Sequence, residues 1–63
     1  MIQEFDKVKI KKSGIIGDVI DIYTINGTMY YTVESDEKGV PGGRGDNTDW
    51  KLFTCEKREL EKL

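Results

Sequence analysis

The chain has no histidine and a single cysteine, Cys55, among its 63 residues. With one cysteine, no intramolecular disulfide can staple the domain, so the framework typical of oxidising compartments is excluded and a reducing cytoplasm is the expected setting. Cys55 also lacks a histidine to act as its base, and burial at a strand end is the ordinary fate of such a thiol. No apolar stretch approaches the roughly 18 residues of a membrane-spanning helix. Residues 1–5 are acidic and mixed, with no cationic leader running into an apolar segment, so the sequence reads as a full-length cytoplasmic protein that makes no membrane contact. An excess of positive charge is missing too. Ten basic residues stand against twelve acidic ones, for a net charge of −2, which argues against a wholly basic nucleic-acid binder but leaves room for a local basic face.

What remains is one small domain spanning residues 1–63, with 37% apolar and 35% charged residues. A chain of this length buries only about 60% of its unfolded surface, so the core is thin, a partner subunit can supplement it, and a stability of about 3 to 9 kcal/mol is expected. There is no room for a deep pocket.

Val8 and Ile10 alternate with Lys7, Lys9 and Lys11, the period of a strand with one buried face. Ser13-Gly14 supplies a turn, and Gly17 inside the next apolar run marks a bend or close backbone approach. A second strand follows through Val19, Ile20, Ile22, Tyr23 and Ile25, with a bulge expected between Val19 and Ile22 because those two residues fall on opposite faces of a regular strand. Asn26-Gly27 predicts a type I′ hairpin turn into a third strand, on which Met29, Tyr31 and Val33 share the core-facing side. Residues 35–49 turn to Asp, Glu, Gly, Pro and Asn and predict a long, exposed, flexible loop. A fourth strand is expected over residues 50–54, with Trp50 and Leu52 on one face and Lys51 and Phe53 on the other. Thr54 then caps a 3₁₀ turn over residues 56–59, and a closing strand covers 60–63. A single C-terminal helix over 55–63 is the rival reading, since Glu, Lys, Arg and Leu all favour it. The expected core is Val8, Ile10, Val19, Ile22, Tyr31, Val33, Leu52 and Leu60.

Asp6-Lys7-Val8, Lys11-Lys12-Ser13-Gly14, Gly17, Tyr23, residues 31–35 and Glu59-Leu60-Glu61 follow the order seen in small bacterial SH3-like barrels. The chain resembles the plasmid-borne type II dihydrofolate reductases and short barrels of bacterial mobile elements. That resemblance implies a five-stranded, all-β SH3-like barrel with a 3₁₀ turn before the last strand; an Sm-like or OB-like barrel would share the strand content. It does not carry the reductase activity across. The reductases' Val-Gln-Ile-Tyr strand, which lines a tetrameric pore, reads Trp50-Lys51-Leu52-Phe53 here, and Lys11 alone among matching basic positions cannot hold folate and nicotinamide together. A second resemblance, over Val8 to Val19, is to KOW-type modules, and it implies a nucleic-acid contact through Lys7, Lys9, Lys11 and Lys12 with Tyr23 or Tyr30 stacking a base. The competing reading is that these lysines form the solvated face of an amphipathic strand and guard its edge.

Trp50, Phe53 and Tyr30 are the candidates for a protein contact, lying near the acidic segment Glu34 to Glu37 as aromatic ridges do in SH3 grooves, although their order differs from that of eukaryotic SH3 domains. Arg44-Gly45-Asp46 spells an adhesion tripeptide that a Gly-rich loop produces by chance. Asp36, Glu37, Asp46, Asn47 and Asp49 lack the spacing of a calcium loop. Ser13 and Ser35 have no better support as nucleophiles than Cys55. The expected function is therefore a non-catalytic protein-interaction or self-assembly module, with a KOW-like nucleic-acid binder as the alternative. Neither role calls for a cofactor, a metal or a small-molecule substrate.

Overall fold

The computed structural model describes residues 1–45 and 50–63. Five antiparallel strands form one sheet in the order β4-β3-β2-β1-β5, with β1 at Lys7–Ile10, β2 at Ile16–Ile25, β3 at Thr28–Ser35, β4 at Leu52–Glu56 and β5 at Leu60–Lys62. A 3₁₀ turn over Lys57–Glu59 joins β4 directly to β5, so the two outermost strands of the sheet are linked by three residues. The rival C-terminal helix does not form. The residue before the turn is Glu56 rather than the expected Thr54, and the Glu59 carboxylate accepts its amide at 2.8 Å. Among the described residues no helix is long and apolar enough to cross a membrane.

The strands form where period-two patterning and turn chemistry coincide. Asn26 and Gly27 both take positive φ, +50° and +81°, and close the β2–β3 hairpin as a type I′ turn requires. The expected bulge is present: the β2–β3 register shifts between Val19 and Asp21, leaving Ile20 as the extra residue. Gly17 lies where a side chain has no room. A Cβ there would sit 2.2 Å from the Glu34 carbonyl oxygen and 2.9 Å from Val33 Cγ1, so the approach of β2 to β3 depends on glycine at this position.

The core is Val8, Val19 and Val33, all fully buried, with Ile2, Ile10, Tyr31, Cys55 and Leu60 around them. Ile22, Ile15 and Phe53 pack against its margin. Leu52 is a correction. It pairs with Glu34, while Phe53 pairs with Val33 and Cys55 with Tyr31, so Phe53 and Cys55 face the core and Leu52 faces the other side, half-buried. Strand β4 also starts two residues later than the composition suggests, because its first pairing partner is set by the end of β3. Ser35 fixes that point: its buried hydroxyl accepts the Lys51 amide at 3.1 Å and donates to the Glu37 carbonyl at 2.9 Å.

The expected loop is tied back at several places. Ser35 belongs to β3, the Asp36 amide donates to the Ile16 carbonyl at 3.0 Å, and Arg44 forms an isolated antiparallel bridge with Leu52. Residues 46–49 of that loop, and with them Asp46 of the adhesion tripeptide and Asp46, Asn47 and Asp49 of the acidic group, lie outside the described residues.

Gly17→Ala is expected to destabilise the domain by about 2–3 kcal/mol, since the added methyl must push backbone apart. Urea unfolding monitored by Trp50 fluorescence measures it. A loss below about 0.5 kcal/mol would show that β2 and β3 separate there at no cost.

Candidate binding groove

Four lysines in β1 and its following turn meet two different fates. Because β1 pairs with β2 on one side and β5 on the other, it is an interior strand, and its lysines guard no edge. Lys7 faces Asp18 across the β1–β2 ladder and reaches both Asp18, at 3.0 Å, and Asp36, whose hydrogen bonds hold its ammonium above the ordinary lysine range. Lys9 faces Glu61 across the β1–β5 ladder at 3.6 Å. Lys11 and Lys12 lie beyond the end of the strand, and among the described residues neither has a carboxylate partner.

The three aromatic candidates do not share one surface. Tyr30 lies on the face opposite the core, tilted against Tyr23 with ring centroids 5.7 Å apart. Trp50 is about half exposed, and the Lys38 ammonium sits over its ring, 4.7 Å from the centroid. Phe53 lines a concavity.

That concavity is an open groove of about 820 Å³ between the end of β1, the outer edge of β4 and the 3₁₀ turn. Ile10, Leu52, Phe53 and Cys55 contribute its apolar lining. Around them stand Lys11, Lys12, Arg44 and Arg58, with Glu59 the one carboxylate among the described lining residues. A chain of net charge −2 thus concentrates four cations at one site. Arg58 also reaches the Glu56 carboxylate at 3.5 Å, a solvated contact that leaves most of its guanidinium open. The groove is open to solvent.

Of the sequence candidates, Lys11 and Lys12, singled out for nucleic acid, and Phe53, singled out for a protein contact, line this groove, whereas Arg44, Arg58 and Thr54 are singled out for neither contact. Thr54 matters through its backbone. The bonds from the Ser35 amide to the Lys51 carbonyl and between Arg44 and Leu52, at 2.8 and 2.9 Å, set the alternation of β4: Lys51, Phe53 and Cys55 bond to β3, while Leu52 and Thr54 point their N–H and C=O to the opposite edge. Leu52 meets Arg44 there; Thr54 faces the groove it lines. Period-two reading of β4 would have found this edge had its phase been legible.

Cys55 is a poor nucleophile in this setting. Burial pushes its thiol up to about 11, and the nearby Glu59 carboxylate adds to the shift. Among the described residues no three acidic or thiol side chains converge to hold a metal ion.

Because the folded state holds the thiol neutral, the unfolded chain ionises first, at the ordinary thiol value of 9.0. Stability contributed by Cys55 is therefore full below pH 9 and lost as pH rises toward about 11. Denaturation series from pH 8 to 11 should show this decline in the native chain and a shallower one in Cys55→Ala; equal slopes would show that the thiol is not held neutral.

Comparison with protein families, curated proteins and solved structures finds no match to this chain, and so the groove's own chemistry is the basis on which its function is read.

Proposed function

We propose that the chain is a non-catalytic protein-interaction module, built as an SH3-like barrel, and that the groove between β1, β4 and the 3₁₀ turn is its contact site. The barrel reading is supported by the strand order and by the three-residue link between the two edge strands, which draws β4 and β5 around toward each other. The observation that carries the functional reading is the groove itself, with an apolar lining and a ring of cations on a chain whose other lysines in β1 are engaged in ion pairs. Concave apolar surface with a few polar groups at its rim is the ordinary form of a recognition site. Cys55 being free, buried and held neutral is consistent with a binding role in a reducing compartment rather than with covalent chemistry.

Self-assembly through this same site is disfavoured on charge. Two copies meeting groove to groove would oppose four cations with four more. A nucleic-acid ligand retains support from Lys11, Lys12, Arg44 and Arg58. It is the weaker reading because Phe53, the ring in the groove, packs against the core instead of offering an open face for stacking, and Tyr23 and Tyr30 lie on the other side of the sheet.

Selection of an unbiased random-peptide display library on the immobilised protein should enrich ligands, and amide shifts in the labelled protein should then cluster at Lys11, Arg44, Phe53, Cys55 and Arg58. If no peptide is enriched, while mixed oligonucleotides shift residues 7–17 at near-physiological salt, the module binds nucleic acid and the protein-contact reading is wrong.

A further inference from the structure

We propose that the occupant of the groove is an acidic protein segment in extended conformation, which adds beside β4 by hydrogen bonding to the main chain of Thr54. This deepens the interaction reading above and rests on it. Three observations converge. The first is the edge. Strand β4 pairs with β3 on one side, and on the other Arg44 already occupies the place of a neighbouring strand opposite Leu52, accepting from its amide and donating to its carbonyl. Two residues on, the same alternation presents the Thr54 N–H and C=O, and no backbone or side chain among the described residues takes them. Farther along, the Glu56 amide is satisfied by Glu59, so the open edge is a two-bond anchor with a defined register. An incoming strand continues the line that Arg44 begins.

The second observation is the lining. Residues of an extended segment alternate sides, so one set meets the half-buried Phe53 ring over the buried Ile10 and Cys55 while the other reaches the rim. The third is charge. Lys11, Lys12, Arg44 and Arg58 stand at that rim, with Glu59 the one carboxylate among the described lining residues and Glu56 in a solvated contact with Arg58, which selects Asp and Glu at the alternate positions and rejects basic segments. A nucleic acid would satisfy the cations but has no extended amide backbone to meet Thr54 and no apolar side chains for the lining, so the peptide uses all three features where the polyanion uses one.

The probe is a peptide pool of about eight residues with Asp and Glu alternating with Val and Ile, set against the same pool with Lys replacing the acids and against a single-stranded oligonucleotide of similar charge. The acidic pool should bind and shift the groove amides; the lysine pool should not. In the saturated complex, exchange of the Thr54 amide should slow by about tenfold or more. An N-methyl scan along one binding peptide should find a position where affinity falls about tenfold, the residue that donates to Thr54. Lys11→Glu with Lys12→Glu, both in an exposed turn, should weaken binding about tenfold, and Arg44→Glu provides an independent variant whose backbone bridge is retained.

The outcomes separate the two levels. If peptides enriched from the unbiased library bind the groove but are not acidic, or if the Thr54 amide stays unprotected and the N-methyl scan is flat, the strand-addition proposal fails while the interaction module stands. If the oligonucleotide binds the groove as well as the acidic pool, simple polyanion attraction replaces it. If no peptide of either kind binds, both fail.

Discussion

The register of β4 against β3 is the constraint on which the rest depends. Pairing Val33 with Phe53 and Tyr31 with Cys55 sends a ring and a thiol into the core and leaves Leu52 and Thr54 on the other face. A slip of one residue would exchange the two sets, exposing Phe53 and Cys55 and burying a hydroxyl without a partner. Turn chemistry cannot prevent that slip, because no tight hairpin joins β3 to β4. Ser35 does so instead: with its hydroxyl held between the Lys51 amide and the Glu37 carbonyl, it fixes the start of the ladder. The Arg44–Leu52 bridge holds the same strand from its far side, and the two together set which backbone groups of β4 face the groove.

Strand β2 solves a second problem, that of wrapping a core this small. It pairs with β3 through most of its length but with β1 only from Ile16 to Asp18. Past that point residues 5 and 6 take over the ladder, the Phe5 amide donating to the Val19 carbonyl at 2.6 Å and the Val19 amide to the Asp6 carbonyl at 3.0 Å. The change of partner falls at the bulge, where Ile20 is displaced outward and the strand bends. Gly17 permits β3 to come close on the other side of that bend. The N-terminal segment thereby becomes part of the fold, and Ile2 enters the core.

Much of this was legible in the sequence because it is local. The lysine alternation of β1, the Asn26-Gly27 turn, the crowding at Gly17 and the bulge after Val19 each follow from a few adjacent residues, and each is present. The phase of β4 was not legible. Trp50, Leu52 and Phe53 are large and apolar on both faces of any regular strand, so the pattern carries no preference, and the choice is made by Ser35, sixteen positions away from Lys51. Ile2 was missed for a similar reason: a lone isoleucine among polar residues has no period. Arg44 and Arg58 look like solvated charges in a loop and a turn, and only the topology brings those two segments to one groove.

The lysine run shows why positive charge collects where it does. Residues 7, 9, 11 and 12 read as one basic segment in the sequence, yet the end of β1 at Ile10 divides it. Within the strand, every outward lysine faces a position on a neighbouring strand, and an antiparallel sheet gains by filling that position with a carboxylate, as Asp18 and Glu61 do. Beyond the strand there is no facing position. Lys11 and Lys12 lie past the ladder that would neutralise them, and the same strand end leaves Ile10 at the margin of the groove beneath them. The end of an interior strand thus places apolar surface beside cations that have no carboxylate partner among the described residues, and the outer edge of β4 adds backbone hydrogen-bonding groups to them. A fold of this size thus gathers apolar surface, charge and open backbone at the places where its sheet leaves off.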